Sequence, residues 1–178
     1  TADFGWLIFD KSCQYLAQHQ NARVNINISI KFLKSHQFIE KSVHLVDIYK
    51  LRTNQIYLEI TESLPIDDEP DLIITLKELK IMGFNLSLDD FGTGYTSLLA
   101  AFNLPLSQIK IDKKLISNLQ DNKTFVYLIE FLRKLTEERN ISLVAEGIET
   151  MEQIHVTRQL GIDLLQGYKI ARPQIINI

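Results

Sequence analysis

Phe84-Asn-Leu-Ser-Leu-Asp-Asp90 is a short alternating run that stops on two consecutive aspartates. Alternation predicts a strand, because successive side chains of extended backbone point to opposite faces. The same design recurs on both sides of it. Asn27 ends Arg23-Val-Asn-Ile-Asn27, and Glu59 lies late in Gln55-Ile-Tyr-Leu-Glu59. Lys110 lies within Gln108-Ile-Lys-Ile-Asp112, Glu146 ends Ile141-Ser-Leu-Val-Ala-Glu146, and Gln166 follows Leu164-Leu165. The recurrence is roughly every 20 to 35 residues, the length of one strand plus one helix. Polar residues at the C-terminal ends of successive parallel strands are how a β/α barrel assembles its active site. One pattern therefore predicts an α/β fold of the TIM-like (β/α) barrel type, together with its site.

Helical patterns separate the strands. An amphipathic helix is expected over 4–20, with Phe4, Leu7, Ile8, Tyr15 and Leu16 roughly on one side. A weaker one follows over 38–49. Asp67-Asp-Glu-Pro70 opens a third, because proline suits the first turn and acidic residues there favour the helix dipole. Its apolar stripe is Leu72, Ile73, Leu76 and Leu79, and Gly83 stops it. A short helix is expected over 97–102. The strongest spans 122–139, with Phe125, Leu128, Ile129, Leu132 and Leu135 in phase. Thr150-Met-Glu-Gln153 has the form of a capping box, and its helix ends at Gly161. A last strand is expected over 163–168.

The strand count is six, whereas a closed β/α barrel takes eight. Either the barrel is open or about two strands precede residue 1. No composition shift divides the chain, so residues 1–178 read as one domain. At 178 residues it is long enough for a sizeable core. The net charge of −3 gives no basic face for a DNA or RNA duplex. Cys13 is the single cysteine, so an internal disulfide and a Cys/His zinc site are excluded. No apolar run reaches the ~20 residues of a membrane span, and no signal peptide is visible. A cytoplasmic location fits, and a membrane anchor elsewhere in a longer parent is compatible with it.

Glu59, Asp89, Asp90 and Glu146 are expected to converge on one barrel rim. Clustered carboxylates repel, more so when buried, and divalent cations are the usual remedy. An all-oxygen set that includes the Asn27 amide suits Mg²⁺, Mn²⁺ or Ca²⁺ rather than zinc. Consecutive aspartates could serve two adjacent ions, which is the arrangement that clamps both oxygens of a phosphoester displacement. Lys110 would add a cation or position the attacking water. Taken singly, each residue has an ordinary reading: Asn27 as a sheet-edge hydrogen bonder, Glu59 as a solvated strand residue, Asp89-Asp90 as turn chemistry. Lys110 alone reads as a surface lysine, and Glu146 alone as strand termination. The joint pattern is what carries weight. Gly92-Thr-Gly94 lacks the remainder of a dinucleotide fingerprint, and His19, His36, His44 and His155 form no metal motif.

These stretches resemble the EAL-domain family, bacterial phosphodiesterases of cyclic di-GMP. The resemblance rests on Val24-Asn-Ile-Asn-Ile-Ser29, Leu58-Glu-Ile-Thr-Glu-Ser63 and Leu88-Asp-Asp-Phe-Gly-Thr-Gly-Tyr-Thr-Ser-Leu98. It continues through Ile109-Lys-Ile-Asp112, Val144-Ala-Glu-Gly-Ile-Glu149, Gln166-Gly-Tyr168 and Arg172-Pro173. It implies a TIM-like barrel with one antiparallel strand, and hydrolysis of cyclic di-GMP to linear pGpG with Mg²⁺ or Mn²⁺. It further implies Asn27, Glu59 and Asp89 as ligands of a first ion. Asp89, Asp90 and Glu146 are implied as ligands of a second. Lys110 is implied to hold the attacking water, with Gln166 near the site and Arg172 toward substrate. Glu62 and Glu149 are implied anchors of the 91–97 loop, which in this family links the metals to a homodimer interface. Sensory or GGDEF-type domains are the expected neighbours in a parent protein.

The Glu-Ala-Leu segment that names the family is absent from the 178 residues, as is its Leu-Leu-Arg-Trp stretch. The expectation is an EAL domain lacking its first strands, and a weak or inactive enzyme when isolated. The alternative function is a receptor that binds cyclic di-GMP without cutting it. Retention of every ligand type on the six strands favours the enzyme.

Overall fold

All six expected strands form, and they pair in chain order as one parallel sheet: β1 (Val24–Asn27), β2 (Ile56–Thr61), β3 (Asn85–Phe91), β4 (Gln108–Ile111), β5 (Ser142–Ala145) and β6 (Leu164–Leu165). The computed structural model describes residues 2–35, 37–61, 70–93, 98–119 and 122–175. The antiparallel strand implied by the family resemblance is not among these six. Among the described residues β1 and β6 each have one neighbour, so this sheet is an open part of a barrel with helices on its outer face.

The two faces of the sheet follow from side-chain alternation. Ile26, Leu58, Ile60, Leu86, Leu88, Ile109, Ile111 and Ala145 are buried against the helices. The opposite face carries Asn25, Asn27, Glu59, Ser87, Asp89, Gln108 and Lys110. In-register pairing puts Asn27 beside Glu59, and Glu59 beside Ser87. Ser87 Oγ donates to Gln108 Oε1 at 3.0 Å, which satisfies two buried polar groups below the rim.

Local signals explain most helix ends. In α4 (Pro70–Ile81), Leu72, Leu76 and Leu79 are fully buried, and Gly83 follows with φ 91°. The residues before Pro70, with Asp67 to Glu69, lie outside the described set. α5 (Leu98–Asn103) falls where expected. α7 (Lys123–Glu138) is capped by the Asn122 side chain on the Thr124 amide, at 2.9 Å. α8 (Met151–Gln159) has the expected capping box between Thr150 and Gln153.

Four expectations need correction. In α1 (Ala2–Gln18) the buried stripe is Phe9, Cys13 and Leu16, whereas Phe4, Leu7 and Ile8 face outward. Both triplets have helical spacing, and the aromatic packing decides between them. Trp6, Phe9, Phe32 and Phe38 meet ring to ring, joining α1 to α2 (Ile30–Leu33) and α3 (Phe38–Ile48). α2 was not expected: Ser29 leaves the alternating pattern and accepts from the Phe32 amide as an N-cap. α6 (Lys113–Ser117) was not expected either, and Asp112 caps it through the Lys114 amide at 2.8 Å. β6 is shorter than expected, because the backbone turns at Gly167, whose carbonyl accepts from Ile170 and Ala171.

Candidate active site

Lys110 stands mid-way along β4, between the strands that carry the carboxylates. Its ammonium lies 2.9 Å from Glu59 Oε1, 2.8 Å from Asp89 Oδ1 and 2.6 Å from Glu146 Oε1. Glu59 and Lys110 are both buried, at 4% exposure, which rules out a solvated strand glutamate and a surface lysine. Burial pushes the lysine pKa down, but the close carboxylates of Asp89, Glu146 and Glu59 outweigh it, and the net shift is upward. Glu146 is pushed up by burial and by the negative charges of Asp89 and Glu59, which together exceed the pull of Lys110.

A bulge brings the second aspartate into the site. Leu88 pairs with Ile109 and Phe91 with Ile111, so Asp89 and Asp90 together oppose Lys110. In a regular strand their side chains would leave on opposite faces. Here Asp90 takes φ 57°, and the extra residue re-aims the strand end. Asp89, Asp90 and Glu146 each present an oxygen, all within 4.8 Å of one another.

This donor set fits a divalent cation. Asp89 Oδ1 is buried and accepts no hydrogen bond of normal geometry. Its 2.8 Å approach to Lys110 is an ion pair without the alignment of a hydrogen bond. Four carboxylates against one ammonium leave excess negative charge, and hard oxygen donors suit Mg²⁺, Mn²⁺ or Ca²⁺. Beside them is a cavity of about 320 Å³, lined by Asp90, Asp112, Glu146, Gln166 and Tyr168. Gly147 also lines it, with φ 63° and with Lys113 Cβ 2.3 Å from where a Cβ would stand. Only glycine fits that position.

Residues 1–173 match the EAL domain. The chain belongs to the EAL-domain family. It is 31% identical over 173 residues to the oxygen sensor protein DosP of Escherichia coli K12, covering 94% of this chain and 22% of DosP. It is 30% identical over 174 residues to MucR of Pseudomonas aeruginosa, a bifunctional diguanylate cyclase/cyclic di-GMP phosphodiesterase. That match covers 95% of this chain and 25% of MucR, so the chain spans a quarter or less of these relatives. Klebsiella pneumoniae BlrP1, solved as a calcium/cyclic di-GMP complex, superposes with a TM-score of 0.90 at 26% identity. The match covers 99% of this chain and 46% of BlrP1. A manganese/cyclic di-GMP complex of BlrP1 gives 0.86 at 25% identity, over 94% and 43% of the two chains.

Within this EAL domain, Glu59, Asp89 and Glu146 meet on Lys110, and Asp90 joins the group through the bulge. Asn27 shares their face of the sheet but is exposed, and its side chain makes no hydrogen bond among the described residues. Gln166 lines the cavity next to Glu146. Arg172 is exposed and stacks its guanidinium 5.6 Å from the centre of the ring of Tyr168, which lines the cavity. Glu149 lines the cavity, and its amide donates to Gln153 Oε1 at 2.7 Å. Glu62 lies outside the described residues, as do positions 94–97 of the loop. One participant was missed: Asn25 Nδ2 donates to Glu59 Oε1 at 2.6 Å. Its signal was available, since Asn25 shares the polar face of β1 with Asn27.

Proposed function

We propose that this EAL domain hydrolyses one phosphodiester of cyclic di-GMP to give linear pGpG, using two divalent cations, Mg²⁺ or Mn²⁺. The observation that carries the proposal is the convergence of Glu59, Asp89 and Glu146 on Lys110, with Asp90 turned toward them by the bulge. Asn27, Glu59 and Asp89 would hold one ion, and Asp89, Asp90 and Glu146 the other. Bound there, the ions supply charge neutralisation for the attacking and leaving oxygens. Lys110, freed from part of its carboxylate shell, holds the attacking water by donating to it. Water adds to phosphorus as the P–O3′ bond breaks, and its proton ends on the departing 3′ oxygen. Gln166 and Arg172 would bind substrate at the cavity beside Glu146.

The complexes of BlrP1 with cyclic di-GMP and calcium or manganese support this choice of ligand and ions. Calcium is expected to permit nucleotide binding without turnover, because its looser coordination positions water poorly. The remaining assignments belong to the same proposal: a cytoplasmic domain, Glu62 and Glu149 as anchors of the loop after Asp90, and a homodimer formed through that loop. Sensory or GGDEF-type domains would adjoin it in a parent protein. Among the described residues no helix is long and apolar enough to cross a membrane.

Among the described residues the six-stranded sheet leaves the Asn27 side of the rim without a neighbouring strand, so residues 1–178 alone should turn over slowly. The test is chromatographic detection of pGpG with Mn²⁺, with Ca²⁺ and with EDTA, on the chain alone and on a form whose barrel is completed to eight strands. Manganese-dependent pGpG from the completed barrel is the expected result. Cyclic di-GMP bound but left intact by the completed barrel would favour the receptor instead.

A further inference from the structure

Glu59 Oε1 receives two donors from opposite sides. Lys110 Nζ lies 2.9 Å away from β4, and Asn25 Nδ2 lies 2.6 Å away from β1. The lysine contact belongs to the cluster already described. The asparagine contact has a separate origin. Asn25 pairs in register with Tyr57, one pleat below the Asn27–Glu59 pair and on the same face. Its amide therefore reaches diagonally upward to the carboxylate, a span within reach of a long polar side chain. Both donors converge on Oε1, so Oε2 is the oxygen left to meet an added cation. A carboxylate with one oxygen pinned from two sides has lost most of its freedom to rotate about its terminal bond.

We infer that Asn25 is a positioning residue: it fixes the Glu59 carboxylate so that Oε2 is presented to a divalent cation at the rim. The inference rests on the metal-dependent reading above and deepens it. Asn25 touches neither substrate nor cation. It acts through Glu59, as outer-shell hydrogen bonds to metal-ligating groups do, and removing such partners costs 10–100-fold in metal affinity. Asn27, the neighbouring asparagine on the same face, makes no such bond among the described residues, so the two residues have different tasks. The exposure of Asn25 at the sheet edge makes a purely packing role for it small, since its side chain fills no core space.

The experiment is a double-mutant cycle read by Mn²⁺ calorimetry on residues 1–178. Asn25→Leu, which keeps the size and removes the donor, should weaken Mn²⁺ binding about tenfold. Asn25→Ala should do the same, which separates donor loss from any misfit of leucine. In a Glu59→Ala background, Asn25→Leu should have no further effect. Independently of metal, the Asn25 side-chain amide should show a strongly downfield NMR resonance in the metal-free chain, and Glu59→Ala should abolish that shift. Unchanged Mn²⁺ affinity in both Asn25 variants, or equal losses with and without Glu59, overturns the assignment. A wild-type chain that binds no Mn²⁺ overturns instead the metal reading on which it rests.

Discussion

Lys110 Nζ lies 2.8 Å from Asp89 Oδ1, a buried oxygen that accepts no hydrogen bond of normal geometry. The lysine occupies the centre of the carboxylate cluster as an internal cation, and on the proposed reading divalent ions would compete with it for Glu59, Asp89 and Glu146. Its removal therefore has opposite consequences for the metal-free and metal-loaded chain. Lys110→Met should destabilise the metal-free chain by about 3 kcal/mol, because it leaves buried carboxylates uncompensated. Mn²⁺ should recover most of that loss and bind at least as tightly as to wild type. In a turnover-competent form, kcat should fall far more than nucleotide affinity, since a water-holding group acts mainly in the transition state. Urea melts with EDTA and with Mn²⁺ check the first part. Equal destabilisation in both would make Lys110 a structural lysine only.

Glu146 supplies a pH signature. Burial and the nearby Asp89 and Glu59 charges raise its folded pKa above the ordinary 4.5. A raised carboxyl contributes stability that is fully present below the unfolded value and is lost as pH rises through the folded one. The metal-free chain should thus lose this contribution as the pH rises above the ordinary 4.5 and through the raised folded value. Glu146→Gln does not titrate, so relative to wild type it should gain stability across that window and show no gain below it. Mn²⁺ should reverse the sign, because the cation favours the ionised carboxylate. Parallel urea midpoints for the two proteins from pH 4 to 7.5 would show that Glu146 is not held above its ordinary range.

Strand-end carboxylates were legible because they obey two short periods, the alternation within a strand and the strand–helix repeat. Those periods placed Glu59, Asp89, Lys110 and Glu146 on one face without any knowledge of contacts. Asp90 was legible only as a residue type: its entry into the site depends on a bulge, which no alternation announces. The α1 stripe was misread because Phe4, Leu7, Ile8 and Phe9, Cys13, Leu16 both follow helical spacing, and the contact with Phe32 and Phe38 chooses between them. Asn25 escaped for a similar reason. Two asparagines on one face look equivalent until the diagonal reach to Glu59 is measured.

The bulge separates a backbone role from a ligand role at Asp90. Its φ of 57° suits glycine and is costly for β-branched residues. Asp90→Gly should keep the strand end and change stability by less than about 1 kcal/mol, while weakening Mn²⁺ binding more than about 100-fold. Asp90→Val should weaken Mn²⁺ equally and also cost roughly 2 kcal/mol of stability. Calorimetry and urea melts on the pair distinguish the two roles. Unaltered Mn²⁺ affinity in Asp90→Gly would remove Asp90 from the ligand set and leave it as a turn residue.

Gly92 begins the loop that the proposed dimer requires. It has φ 104°, and a Cβ there would stand 2.1 Å from Leu115 Cδ1 on α6. Leu115 can swing away, but the backbone conformation remains closed to a β-branched residue. Gly92→Val should therefore displace the chain after Asp90, costing about 2 kcal/mol or more locally, and under the proposed function the displacement would act on both the metal rim and the dimer contact. On one side it moves Asp89 and Asp90 relative to Glu146, so Mn²⁺ affinity should fall. On the other it alters the surface presented to a second copy of the chain, so the sedimentation coefficient should drop toward the monomer value. Gly92→Ala, with a smaller side chain, should give the same two effects at lower amplitude. Coupled losses in both variants support one loop serving metals and dimer. Lost metal affinity with unchanged sedimentation would confine Gly92 to the rim and detach the dimer from this loop.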